Sequence, residues 1–188
     1  MSAVGFVAKT GWAVAVVVDG SATAPVVVDR RRLDLLQPGT PGHVYHAAAE
    51  LEPGPAEALV AHVHQEALDG ARRGLAALTE DHAVDAVGLV AASGHIPDDL
   101  AAIFASHTLL HAAEGELVRE ALSEAAAAAA LPVVRHRKKE LAAAAQRVLG
   151  LGEDEVRARL ALLGQGLGAP WRQEQKDAAL AAWLTIAG

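Results

Sequence analysis

His107, His111 and Glu114 stand at positions i, i+4 and i+7 of an alanine- and leucine-rich stretch. At about 100° per residue, a helix brings these three to one face. Two imidazoles and one carboxylate are a donor set for zinc or iron, so this face would take a single divalent metal. Ser93 and His95, just after a short apolar run, are placed to complete it. The same spacing also suits an ordinary polar helix face, and it is not the H-E-x-x-H of zinc proteases. His43 and His46 fall in a segment punctuated by Pro38, Gly39, Pro41 and Gly42, a long loop of the kind that covers sites. His62 and His64 diverge by about 200° on a helix and cannot chelate together.

The basic residues offer anion binding instead. Lys9 precedes the turn Thr10-Gly11, where a cation beside free backbone N–H groups attracts a phosphate, or is a solvated hairpin lysine. Arg30-Arg31-Arg32 and Arg135-His136-Arg137-Lys138-Lys139 are the two basic clusters. Along a strand, Arg30 and Arg32 share one face and Arg31 takes the other. Arg30, Arg32, Arg135, Arg137 and Lys138 are thus the residues to hold nucleic-acid phosphates. Their competing role is to protect strand edges from aggregation. Walker, G-x-G-x-x-G and G-x-S-x-G patterns are absent, which removes the usual nucleotide and nucleophile-elbow chemistry.

The elements that position these groups come from a chain of 188 residues with net charge −7 and 52% hydrophobic residues, enough for one domain spanning 1–188 with its own core. Aromatic residues make up 3%, which argues against base-stacking platforms. There is no cysteine, so disulfides, thiolate metal sites and a cysteine nucleophile are excluded. The apolar N-terminal run is broken by Lys9 and Gly11 and lacks a basic lead, so neither a signal peptide nor a membrane span is expected. The expectation is a soluble, cytoplasmic protein.

Val-rich runs at Ala3–Lys9, Trp12–Val18 and Pro25–Arg32, joined by Thr10-Gly11 and Asp19-Gly20-Ser21, predict an antiparallel meander. Leu36–Pro55 reads as a long loop, and a helix follows from Ala56 to about Leu78. The nearly unbroken apolar run Val84–Ala91 predicts a strand buried on both faces. Pro97-Asp98-Asp99 opens a short helix, and Ser106 caps a long one ending near Ala130. A strand at Val133–Arg135 completes a β-α-β crossover. Helices at Lys138–Leu149, Glu153–Leu163 and Gln173–Ile186 end the chain, with Trp171 and Trp183 anchoring the last of them. The order βββαβαβα, with extra C-terminal helices, makes an α/β protein with a mixed sheet.

The hairpin VGFVAKTGWAVAVVV, the strand VDAVGLVAA, the helix SHTLLHAAEGELVREALSEAA, the passage LPVVRHRKKELAAAA and the closing EQKDAALAAWL together resemble the ribonuclease-H-like superfamily. Within it they look most like the RuvC Holliday-junction resolvase branch. The resemblance implies a nuclease scaffold in which carboxylates hold two divalent metals. One acid is implied at the end of the first strand, where this chain has Lys9, and another after the fourth, where it has Val90-Ala91-Ala92-Ser93. Only Glu174 and Asp177 of the closing helix match, and a lysine would repel the metals by several kcal/mol. The leading expectation is therefore a domain without two-metal hydrolysis that binds nucleic acid or a protein partner and requires no cofactor. The alternative is an enzyme with Lys9, Ser93, His95, His107, His111, Glu114 and Asp177 around one cleft, using a histidine base or one metal. A third reading is a structural or oligomer-forming protein, a homodimer being one option, whose alanine-rich helices offer closely approaching surfaces.

Overall fold

The structure, a computed structural model, describes residues 1–92 and 94–188. β1 (Ser2–Lys9) and β2 (Trp12–Gly20) form the expected hairpin, with Lys9 opposite Trp12 and Gly11 at φ +76° in the turn. β3 (Pro25–Asp34) pairs antiparallel with β2. Next come α1 (Val44–Ala48) and α2 (Pro53–Asp81). β4 (Ala86–Ala91) joins the other side of β1 in parallel. α3 (Leu100–Phe104) and α4 (His107–Ala128) lead to β5 (Val133–Arg137), parallel to β4. A 3-10 turn (Lys138–Glu140), α5 (Leu141–Leu149), α6 (Glu153–Leu163) and α7 (Gln173–Ala187) complete the chain. The sheet order is β3-β2-β1-β4-β5.

The alternation of side chains along β1 divides the interior in two. Val4 and Phe6 join Ala15, Val17 and Leu89 under α2 and α4. Ala3 and Val7 join Val14, Val16 and Val90 under α5, α6 and α7. Lys9, two residues beyond Val7, therefore lies on the α7 face. Ser106 caps α4 as the sequence predicts, accepting from the Leu109 N–H at 3.4 Å, and Asp99, at the predicted opening of α3, accepts from the Ala101 N–H at 3.0 Å. Trp183 is buried and donates to the Ala22 carbonyl, and Trp171 donates to the Leu160 carbonyl, so both tie C-terminal segments down.

Two features depart from the predicted elements. The loop over Leu36–Pro55 contains α1, whose Val44 and Ala48 are buried, because i and i+4 turn the same way toward the core. The seat of α7 was not visible in any periodicity. Gly5 and Gly88 are paired neighbours on β1 and β4. A Cβ on Gly5 would come within 1.8 Å of the Ala178 carbonyl oxygen, and one on Gly88 within 2.5 Å of that of Ala181. Two glycines below and alanines above let the α7 backbone rest directly on the sheet.

Candidate functional site

β1, β4 and β5 run parallel, so Lys9, Ala91 and Arg137 all reach the same edge of the sheet. In such sheets ligands bind beyond the carboxyl ends, where the strand order reverses, here between β1 and β4. The first turns of α7 lie at this edge. Lys9 Nζ is 3.3 Å from Glu174 Oε1, and Lys138 Nζ is 3.6 Å from Asp177 Oδ2. Gln173 Nε2 donates to Asp177 Oδ1 at 2.6 Å. Asp177 is only 7% exposed. The Glu174 carboxyl is held below its ordinary range by a backbone N–H at the helix start and then by Lys9.

On the opposite face, α4 presents His107, His111 and Glu114 together, as their spacing predicts. The structure adds His43 and His46 from α1 and the residue before it. His46 Nδ1 lies 2.7 Å from Glu114 Oε1, His43 Nδ1 2.9 Å from Oε2, and His111 Nδ1 3.5 Å from Oε2. The Glu114 side chain is 1% exposed, whereas those of His43 and His111 are 63% and 52% exposed. Burial pushes the Glu114 carboxyl up, and the hydrogen bonds from His46 and His43 more than reverse this, leaving it below its ordinary value. The donor atoms of His43, His46, His111 and Glu114 fall within 4.8 Å of one another, so these four could hold a metal ion. His107 stands outside that set, its ring 4.6 Å from His111 and 5.4 Å from His46. The missed signal was His43-x-x-His46, one helical turn inside a segment read as loop.

His95, Arg135 and Arg137 meet at a third place, a cleft of about 960 Å³ beyond the ends of β4 and β5. Its acids, Glu116 and Glu120, were not singled out by sequence. Glu116 accepts from Arg135 at 2.9 Å and from Arg119 at 2.6 Å. Burial first, and the Glu116 charge second, push the Glu120 carboxyl up. Tyr45 also lines the cleft, and burial with the charges of Glu120 and Glu114 raises its phenol to about 12.

The β3 arginines alternate as predicted. Arg30 donates to the carbonyls of Leu167, Gly168, Ala169 and Pro170, so its guanidinium clasps the loop before α7. Arg32 pairs with Asp34 at 2.7 Å and lies 3.9 Å over the Trp12 ring. Arg31, on the other face, bridges Asp29 and Asp81. Both Arg30 and Arg32 border a smaller cleft with Arg172 and Glu174. The seven groups imagined around one centre thus separate into the α7 start, the histidine cluster and the β4–β5 cleft, while Ser93 lies outside the described residues. Among the described residues, no hydrogen bond or ion pair joins the α7 start to the cluster.

No protein-family model and no curated protein matches the chain significantly. Solved structures do. A Thermus thermophilus RuvC in complex with a Holliday-junction substrate superposes with a TM-score of 0.58 at 14% identity, covering 98% of this chain and 92% of that one. A second Thermus thermophilus RuvC structure gives 0.53 at 17% identity with the same coverage. No helix among the described residues is long and apolar enough to cross a membrane. At these identities the likeness speaks for architecture, and the chain has the RuvC-like ribonuclease-H fold, an α/β mixed sheet flanked by helices.

Proposed function

We propose that this chain is a nucleic-acid-binding domain of RuvC-like fold that does not perform two-metal hydrolysis. The observation that carries the reading is the pairing of both α7 acids with lysines. Two-metal hydrolysis needs divalent ions about 3.5–4 Å apart, clamped by carboxylates. At this edge Lys9 offsets Glu174 and Lys138 offsets Asp177. The residues present do not fit a pair of hard cations, which need several anionic oxygens.

The same residues suit a phosphate backbone. Lys9, Arg137 and Lys138 surround the edge, and Arg172 and Lys176 flank Glu174 in sequence. Their ion pairs are partly exposed, so a phosphate can replace a carboxylate partner at small cost. The net charge of −7 over the whole chain confines attraction to this rim. The RuvC of similar fold bound to a Holliday junction makes a four-way DNA junction the natural probe. Binding of this kind needs no cofactor, and the absence of cysteine suits a cytoplasmic setting.

The test is a salt series of junction binding with the full chain. Affinity is expected to fall linearly in log–log form, and Arg137→Ala or Lys138→Ala should each reduce the slope by about one. No strand cleavage is expected with Mg²⁺ or Mn²⁺. Cleavage abolished by Asp177→Asn would establish the enzyme reading instead, and salt-insensitive or absent retention would favour a protein partner.

A further inference from the structure

We infer that His43, His46, His111 and Glu114 form a site for one zinc-class divalent ion, which ties the 43–48 segment to α4. A tetrahedral ion with bonds of about 2.0–2.1 Å spaces its donor atoms about 3.3 Å apart. One donor atom from each of the four lies within 4.8 Å of the others, and His43 and His111 stand 2.9 and 3.5 Å from the same Glu114 oxygen, values that bracket that spacing. Glu114 is the fixed member, fully buried beneath the rings. The imidazoles are partly exposed, so they can turn onto an ion arriving from solvent.

The donor chemistry selects the ion class. Three imidazoles and one carboxylate suit zinc, cobalt or nickel, whereas magnesium and calcium require oxygen. A divalent ion held there would also supply counter-charge to the buried carboxylate. His107, beside His46 and His111, stands over the cluster without belonging to the four.

The ion would have a structural consequence. α1 is five residues long, too short to persist alone, and the preceding segment is rich in proline and glycine. Two of the ligands lie beside Tyr45 in sequence, and Tyr45 lines the cleft together with Arg135 and Arg137. Fixing α1 to α4 fixes that wall. The inference does not rest on the nucleic-acid reading, because none of the four ligands is among the basic groups of that reading and α4 and α7 pack on opposite faces of the sheet.

The competing state is a purely hydrogen-bonded cluster, with the imidazoles donating to Glu114. The full chain, carrying no added histidines and stripped by a chelator, should be titrated with ZnCl₂ by calorimetry and with CoCl₂ by visible absorption. One ion per chain is expected, with the intense bands of tetrahedral cobalt. Free zinc at about a hundred times Kd should raise Tm on the order of 5–10 °C. His111→Ala and Glu114→Gln should each weaken zinc at least about 100-fold, and His62→Ala, an exposed α2 histidine outside the cluster, should not. If Glu114→Gln does not fold, the half-exposed His111 still decides the matter. Absent saturable binding, several ions per chain, or zinc affinity unchanged in His111→Ala would overturn the site.

Discussion

The α7 start and the outer face of α4 each bury a carboxylate among basic groups, with opposite consequences. Asp177 faces an ammonium, a point positive charge that has no lone pair. Glu114 faces imidazoles, which donate from one nitrogen and can accept or ligate through the other. A lysine partner therefore disfavours a cation beside it, whereas imidazoles offer a cation ligand atoms. One sheet carries both arrangements because its two faces are covered by different helices. The α7 face is closed by backbone contact across Gly5 and Gly88. The α4 face bears a short helix and a Pro/Gly-rich segment, which leave its histidines within reach of solvent.

The comparison breaks most severely at the α7 seat. Gly5→Val would drive a side chain into the Ala178 carbonyl, and stability should fall by about 3 kcal/mol or more, read from the urea midpoint. A fall below about 1 kcal/mol would mean that α7 is not seated on the sheet as described.

A pH series sharpens the contrast between lone and gathered histidines. His136 on β5 donates from Nε2 to Thr185 Oγ1 at 3.1 Å, since that hydroxyl itself donates to the Ala181 carbonyl. Burial holds His136 below the ordinary histidine value near 6.5, so it is neutral in the fold. As pH falls through that value the unfolded chain takes the proton first, and stability is lost. His136→Gln keeps the donor and should remove this part of the slope in thermal denaturation. An unchanged slope would deny that His136 is held neutral.

The smallest effect is expected at the half-exposed Lys9–Glu174 pair. Lys9→Met should change stability by less than about 1 kcal/mol. It should also leave zinc affinity at the α4 cluster unaltered, because the two sites are on opposite faces. Loss of zinc binding in Lys9→Met would merge the two regions into a single centre.

Local rules made most of the fold legible. The Thr10-Gly11 turn set the hairpin, Ser106 the start of α4, and the continuous apolar run before Ala91 a strand covered on both faces. Helical periodicity likewise put His107, His111 and Glu114 side by side. Periodicity was silent on α1, because five residues among prolines and glycines give too short a pattern to read.

Neighbouring residues thus determined the elements, their order and which side chains share a face, since backbone geometry repeats every two or 3.6 residues. Only the tertiary structure decided the partners. His43 and His46 reach Glu114 across 71 and 68 residues, and Lys9 reaches Glu174 across 165. No local repeat spans such separations. Lys9 reaches Glu174 because the glycines of β1 and β4 let α7 rest on the sheet, and His43 and His46 reach Glu114 because α1 packs against α4.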